Sequence, residues 1–296
     1  MASAILRAFG DGKTPLIAIA IAAFTNIILD CLFVFVFHWG IIGAAIATVA
    51  AQMIAFIYCL CRLLKLPLKL SREDWELDFR IIKALCTLGA SMALQQTFIA
   101  ISGMILQTAI NLHGFIYVAG FTATNKLYGL LESSSIAFGY AVTTYMAQNY
   151  GAQNYQRIRK GMKSIVLISF ALAILVGLIT TIFGKFLLGL FISTTAENAS
   201  AVMDVAYHYL SILSFTLPGL YLLNGFRSIL QGLGQGIAVM VSGIMECLGR
   251  ISIALFLSKI WEQLLFFAEP GAWLTADLYL ILICIIVINK KTKAKA

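Results

Sequence analysis

Five ionisable side chains inside long apolar stretches of this 296-residue sequence are singled out as candidates: Asp30, Lys126, Glu132, Glu246 and Arg250. Placing an ionised side chain near the centre of a bilayer costs about 2.5–3.5 kcal/mol on insertion scales. A residue kept there against that cost is a candidate for binding an ion or a substrate. These five positions and their polar neighbours are therefore the first candidates for a functional site.

The first candidate site combines a carboxylate, an amide and a hydroxyl group. Asn26 and Asp30 are four residues apart and share one face of a helix, and Thr48 in the next apolar stretch can add its hydroxyl. Such oxygens suit Na⁺, and a carboxyl group can alternatively carry a proton. We predict that Asp30, Asn26 and Thr48 couple to Na⁺ or H⁺, with no other metal. A polar packing contact between two helices, with Asp30 neutral, remains the alternative.

The other four residues are candidates for a second site. Glu246 and Arg250 are four residues apart in the favourable order for an ion pair, so a purely structural salt bridge is the alternative. Lys126 and Glu132 share one apolar stretch but are six residues apart, which predicts different faces and separate partners. Three serines, 133–135, follow Glu132 and can line water.

Composition excludes a soluble protein. Hydrophobic residues make up 61% of the chain and charged residues 11%, whereas soluble domains have about 45–50% and 25%. So few charges cannot cover the surface of a soluble fold of this size. Long apolar runs rather than alternating segments favour helices over a barrel, so we predict an all-α polytopic membrane protein surrounded by lipid.

Enzymatic and nucleic-acid functions find no support. The stretch Gly10–Thr14 resembles the end of a phosphate-binding loop, but Arg7 stands where the first glycine belongs and no strand precedes it. Neither H-E-x-x-H nor G-x-S-x-G is present. The net charge of +8 does not indicate nucleic-acid binding, because most of the cations lie in loops on one predicted side of the membrane. We therefore expect no catalytic residues, no cofactor besides the coupling ion, and no nucleic-acid partner.

Eight apolar stretches are long enough to cross about 30 Å of hydrocarbon. They lie at 15–38, 41–64, 80–110, 115–148, 163–184, 203–226, 237–258 and 271–289. We expect four parts: a partial N-terminal lobe (1–64), a cytoplasmic linker (65–79), a six-helix C-terminal lobe (80–289) and a basic cytoplasmic tail (290–296).

The distribution of Lys and Arg predicts the orientation in the cell membrane. With eight spans both ends lie on one side, and that side holds seventeen of the nineteen cations assigned to loops, Arg227 among them. Only Lys185 and Lys259 fall on the other side. The positive-inside rule therefore places both ends in the cytoplasm.

The chain contains an internal repeat. Ile5–Gly12 aligns with Ile229–Gly236, and Gly43–Ile46 aligns with Gly271–Leu274. Both copies run in the same direction through the membrane, which is typical of parallel repeats in transporters. The second copy ends a set of six spans (80–289), whereas the first copy has only two spans (15–64). If the two halves are equivalent, we expect four further spans before Met1.

Several motifs resemble the multidrug and toxic compound extrusion (MATE) family of the polysaccharide-exporter superfamily. They cover nearly the whole chain in the right order: Leu6–Pro15, Asn26–Asp30, Gly43–Thr48, Gln148–Asn154 with Arg157–Ile158, Leu230–Gly234 and Gly271–Trp273. Family members have twelve spans in two six-helix lobes, so the resemblance implies spans five to twelve.

This resemblance implies export of organic, often cationic, drug-like molecules driven by entry of Na⁺ or H⁺. In one branch of the family, an Asn-x-x-x-Asp on span five, a Thr on span six and an Asp on span one form a cation site. Asn26, Asp30 and Thr48 match the first three by spacing, and the Asp on span one has no counterpart in this sequence. Another branch has a coupling glutamate where this chain reads Met92–Gln96 without an acid, which leaves Glu132 as the substitute. Alternatives are a lipid-linked saccharide flippase of the same superfamily, which is expected to have a more cationic cavity, and a non-transporting truncated remnant.

The predicted orientation can be tested by cysteine labelling. In a variant without the native cysteines, a cysteine replacing Tyr155 should react with an impermeant maleimide only after the cells are opened. A cysteine replacing Lys185 should react on intact cells. Labelling of position 155, or of Leu70→Cys in the linker, on intact cells would contradict the assignment.

Overall fold

The computed structural model describes residues 1–66, 76–192 and 198–293. The chain divides into two compact units, Met1–Leu77 and Asp78–Ala296. Residues 67–75 of the predicted linker and residues 294–296 of the predicted tail lie outside the described part.

In the residues that the structure describes, the first unit consists of three helices. They are α1 (Ala2–Ala8), α2 (Lys13–Asp30), which continues as a π-helix (Cys31–Val36), and α3 (Gly40–Leu63). Its buried contacts are made mainly by small side chains, with Leu6 of α1, Ala18 of α2 and Ala47 of α3 almost fully buried. Small residues allow helices in lipid to approach closely, and this packing drives their association where no water is present.

The second unit contains six long helices. They are α4 (Phe79–Asn111), α5 (Phe115–Gly151), α6 (Tyr155–Gly189), α7 (Ala199–Gly232), α8 (Gly236–Ile251) and α10 (Ala268–Lys293). A π-helix (Ser252–Leu257), the short α9 (Ser258–Ile260) and a 3₁₀-helix (Glu262–Phe267) connect α8 to α10. Because α10 runs to Lys293, the predicted tail begins as helix.

Helix α7 forms the centre of the second unit. It packs against α5, α6 and α10, while α8 packs against α4 and α10. Large buried side chains fill the spaces between these helices, including Tyr209 and Tyr221 of α7 and Trp273 of α10. The outward faces of the long helices carry exposed Leu, Ile and Phe, as expected for surfaces that face lipid.

The prediction of an all-α polytopic membrane protein is confirmed. Seven helical segments in the described residues are long and apolar enough to cross a membrane. The remaining long helix, α5, has 37 residues and carries Lys126 and Glu132. The predicted spans coincide with helical segments, but α6, α7 and α10 extend beyond their predicted spans at both ends, α7 as far as Gly232.

The first copy of the repeat turns on a glycine between α1 and α2. Gly10 has φ +87°, and the Asp11 amide donates a hydrogen bond back to the Leu6 carbonyl at 3.0 Å. The carboxylate of Asp11 then accepts hydrogen bonds from the Thr14 amide at 3.0 Å and hydroxyl at 2.6 Å. These bonds hold the pKa of Asp11 below its ordinary value, and the bond from the Thr14 hydroxyl has the largest effect.

The second copy, between α7 and α8, has the same geometry. Gly234 has φ +72°, and the Gln235 amide donates to the Leu230 carbonyl at 2.9 Å. Both turns are therefore glycine C-caps with the same backward hydrogen bond. The aligned residues adopt the same local structure, as the sequence repeat predicts.

A second repeated feature was not predicted. In each copy, the helix after the glycine turn ends in a six-residue π-helix, and an aligned glycine packs on it. A Cβ on Gly43 would lie 2.9 Å from the Cβ of Phe33, and a Cβ on Gly271 would collide with the side chain of Ile253. The absence of a side chain at both glycines thus allows the following helix to approach the π-helix.

Replacing Gly234 with alanine should lower the free energy of unfolding by about 1 kcal/mol, because L-residues rarely adopt positive φ. Gly89→Ala in α4 is the matched control, since neither added Cβ would meet another atom within 4 Å among the described residues. In the control the free energy of unfolding should rise by about 0.5–1 kcal/mol, because alanine loses less conformational entropy than glycine when the helix folds. Unfolding of the purified chain in detergent measures both, and equal effects would contradict the assigned turn.

Candidate functional site

In the first unit the structure brings together two of the three predicted residues. The Asn26 side-chain amide donates to the Thr48 hydroxyl at 3.4 Å, a long contact compared with the usual range of about 2.7–3.2 Å. The Thr48 hydroxyl donates in turn to the Ala44 carbonyl at 2.9 Å. This pair therefore joins α2 to α3 through polar atoms.

Asp30 lies one helical turn after Asn26, at the last residue of α2. Its carboxyl oxygen Oδ1 is buried and has no hydrogen-bond partner within the described residues. A buried oxygen without a donor loses its hydration without compensation, and a bound cation or proton would relieve that loss. Asp30 makes no hydrogen bond to Asn26 or Thr48 in the part of the chain that the structure describes.

A cavity of about 340 Å³ lies between α2 and α3, and Asn26 and Thr48 are among its lining residues. Its other walls are mostly small and apolar, such as Ala22 and Ala51. Asp30 is not part of the lining, so the three predicted residues form an open polar group along two helices rather than one closed ligand shell.

In the second unit, the ion pair that the spacing of Glu246 and Arg250 predicts is present. Arg250 Nη2 and Glu246 Oε1 are 2.8 Å apart, and both residues are buried. The pair is part of a larger group, because Arg250 Nη2 also lies 2.6 Å from Oε2 of Glu269 on α10. On the other side, Arg227 Nη2 of α7 lies 2.5 Å from Glu246 Oε2.

These four residues, Arg227, Glu246, Arg250 and Glu269, form what we call the buried ion network. Its two positive and two negative groups balance, which a low-dielectric interior requires. Hydrogen bonds extend it, since Arg227 Nε donates to the Ser242 hydroxyl at 3.0 Å, whereas the buried Arg250 Nε has no hydrogen-bond partner within the described residues. The network joins α7, α8 and α10 through charge.

Arg250 extends the network to a fourth helix. Its Nη1 donates to the Ser102 hydroxyl at 2.5 Å and to the Ile99 carbonyl at 3.2 Å, both on α4. One guanidinium group therefore contacts α4, α8 and α10 together. Arginine suits such a position because its planar group presents several donors at fixed angles.

Sequence reasoning missed two members of the network. Arg227 was assigned to a cytoplasmic loop, and this was wrong, because α7 continues past it and its side chain is buried. Without Arg227, sixteen of eighteen loop cations support the predicted orientation. Glu269 lies two residues before the predicted eighth span, so it was not considered. In both cases the sequence feature that could have identified the residue was a charge just beyond the end of an apolar run.

Asp277 on α10 was also missed, although it lies inside a predicted span. It is buried, and its Oδ1 has no hydrogen-bond partner within the described residues. Its Oδ2 would lie 3.7 Å from a Cβ on Gly219 of α7, an ordinary contact distance, so the carboxyl group faces this part of α7. Counting every charge inside the apolar runs would have found it.

The remaining two predicted residues are separated by the structure. Glu132 lines a cavity of about 450 Å³, together with all four residues of the buried ion network; we call it the second-unit cavity. Lys126 is exposed and lines a different cavity of about 320 Å³ beside Asn198. Their different faces are as predicted, and Lys126 does not join the group around Glu132.

The sequence matches known proteins over most of its length. A profile of the MatE family matches residues 91–256. The chain is 32% identical to the probable multidrug resistance protein YpnP of Bacillus subtilis, covering 82% of this chain and 54% of the relative. It is 25% identical to the multidrug export protein MepA of Staphylococcus aureus, covering 81% and 52%. The chain thus spans about half the length of these curated relatives.

Solved structures share the fold. A MOP superfamily transporter from Pyrococcus furiosus superposes with a TM-score of 0.90 at 20% identity, covering 98% of this chain and 66% of that one. The Vibrio cholerae MATE transporter VcmN in its bent form has a TM-score of 0.85 at 20% identity, covering 97% and 65%. With the profile match over more than half of its residues, this multi-pass membrane chain belongs to the MatE family of transporters.

Proposed function

We propose that the protein carrying this sequence is a secondary active efflux transporter in the cell membrane. It exports organic, often cationic, small molecules by antiport with Na⁺ or H⁺, and both ends of the described chain face the cytoplasm. The observation that carries the proposal is the match of four fifths of the chain to relatives named as multidrug resistance or export proteins.

The coupling ion binds in the first unit at Asp30, with Asn26 and Thr48 beside it. The buried, unpartnered oxygen of Asp30 supports this assignment, because a carboxylate at that depth is stabilised by a cation or a proton. Asn26 and Thr48 supply the neighbouring amide and hydroxyl oxygens at the same helix pair. Oxygen ligands of this kind suit Na⁺, and the carboxyl group of Asp30 can alternatively carry a proton.

The charges of the second unit favour organic cations over the anionic substrates of a saccharide flippase. The ionisable residues that line its cavity include three carboxylic acids, Glu132, Glu246 and Glu269, against the guanidinium groups of Arg227 and Arg250. A lipid-linked saccharide with a phosphate group would be repelled by an excess acid. A drug-like cation would be attracted.

Asp30→Asn should abolish drug efflux from cells that express the protein. The amide has nearly the same size as the carboxyl group, but it can neither take up and release a proton nor balance the charge of a cation. The amount of protein in the membrane should be unchanged. Accumulation of a fluorescent drug, measured in an efflux-deficient host with membrane levels determined by immunoblot, checks both expectations.

Asp204→Asn is the matched control, because Asp204 is exposed near the start of α7 and lies outside both candidate sites. It should export as the unaltered protein does. Efflux by Asp30→Asn at the rate of this control would rule out Asp30 as the coupling residue.

A further inference from the structure

The first copy of the glycine turn carries its own anion. Between α1 and α2, the Asp11 carboxylate accepts hydrogen bonds from the amide and the hydroxyl of Thr14. It thereby satisfies a backbone donor at the start of α2 and places a negative charge at the positive end of that helix. The first unit therefore supplies this anion from its own chain.

The second copy lacks that anion. Gln235 stands where the repeat alignment places Asp11, and its side chain makes no hydrogen bond that caps α8 within the described residues. Two residues after the aligned stretch begins its helix, Ala238 takes the place of Thr14, so the hydroxyl group is missing as well. The start of α8 thus keeps the backbone turn of the first copy without its capping carboxylate.

Two cations lie in a cavity beside this helix start. The cavity has a volume of about 490 Å³ and lies between the first turns of α4 and the turn before α8; we call it the α4–α8 cavity. Its lining includes Arg80 and Lys83 of α4 and the turn residues 234–237. Arg80 and Lys83 are three residues apart and share one face of α4. The lining residues include no acid, so both full charges of the cavity are positive.

The part of the chain that the structure describes does not neutralise these two cations. Both are exposed, and none of the ion pairs among the described residues includes them. The acid nearest in sequence, Asp78, accepts a hydrogen bond from the Arg80 backbone amide at 2.7 Å and does not line the cavity. Two such cations beside an uncapped helix start have the electrostatics of an anion site.

Apolar side chains adjoin the cationic part of the cavity. Ile237, which lines it, is exposed, as are Ile81 and Leu85 on the first turns of α4. Gly236 allows the start of α8 to lie against α4, since a Cβ there would be 2.9 Å from Cδ1 of Leu88. Cations at the ends of spanning helices lie at the level of the lipid head groups. An anion with acyl chains therefore fits both parts of the cavity, whereas a free anion uses only the cations.

We propose that the α4–α8 cavity binds the phosphate group of an anionic phospholipid, with Arg80 and Lys83 as its counter-charges. The phosphate takes the place at α8 that the Asp11 carboxylate holds at α2. The site is independent of efflux. It takes from the proposed orientation only its position in the cytoplasmic leaflet, where anionic lipids are concentrated.

The test counts the lipids that remain bound to the purified chain. The chain in detergent is mixed with equal amounts of phosphatidylglycerol and phosphatidylcholine with the same acyl chains, and native mass spectrometry measures how much of each is bound. Phosphatidylglycerol should be retained in excess. Arg80→Gln combined with Lys83→Gln should lower bound phosphatidylglycerol at least about fivefold, because two cations near the phosphate are lost.

Lys160→Gln combined with Lys163→Gln is the matched control. These two lysines have the same spacing near the start of α6, are exposed and do not line the cavity. Removing them takes away the same charge from the same predicted side of the membrane. The retained amount of each lipid should be unchanged.

A substitution in the turn tests the exchange of anions. Gln235→Asp supplies the carboxylate of the first copy, which should cap α8 and compete with the phosphate, so bound phosphatidylglycerol should fall at least about threefold. It should also raise the thermal unfolding midpoint of the lipid-free chain, which distinguishes competition from misfolding. Gln235→Asn has the same size without the charge and should bind as the unaltered chain does, within about twofold.

Inorganic phosphate distinguishes a lipid from a free anion. At the concentration of the lipid it should leave phosphatidylglycerol binding unchanged, because it makes no apolar contacts. Displacement of the lipid at that concentration would assign the cavity to a free anion and overturn the lipid site. Equal retention of the two lipids, equal losses in the two paired variants, or undiminished binding by Gln235→Asp would overturn it as well.

Discussion

The second unit depends on the pairing of buried charges. Arg227, Glu246 and Arg250 are each less than a tenth exposed, and Glu269 completes their charge balance. Removing such groups from water costs several kcal/mol per ion, so each must find an opposite charge and further hydrogen bonds. The contacts that satisfy them come from α4, α7, α8 and α10. The arrangement of these helices is therefore constrained by charge as well as by packing.

This network also engages two of the three acids that line the second-unit cavity. Two acids are held by two guanidinium groups, and Glu132 on α5 lies outside the network. In the first unit the corresponding feature is Asp30, whose buried oxygen has no partner in the described part of the chain. In the described residues of the second unit, Glu132 makes no hydrogen bond or ion pair, and a buried oxygen of Asp277 also has no hydrogen-bond partner. In the efflux mechanism proposed here, Asp30 provides the place where the coupling ion binds.

Sequence reasoning predicted the features that depend on local spacing. Apolar runs located the helices, the glycine turns repeated as aligned, and the i, i+4 spacing paired Glu246 with Arg250. It failed where partners are distant in the chain or where helices extend beyond their apolar core. Arg227 and Glu269 lie just outside apolar runs, and each finds its partner nineteen residues away. The two π-helices lie against Gly43 and Gly271, contacts between separate helices that no periodicity reveals.

The stability of Glu246→Gln tests the buried ion network most directly. The substitution removes the negative charge that Arg227 and Arg250 share, leaving both partly uncompensated. Chemical unfolding of the purified chain in detergent should show a loss of about 3–5 kcal/mol, whereas Lys126→Gln, at an exposed position outside the network, should change stability by less than about 0.5 kcal/mol. Arg227→Gln combined with Glu246→Gln should recover part of the loss, because the charges balance again. A Glu246→Gln chain as stable as the Lys126→Gln control would contradict the account.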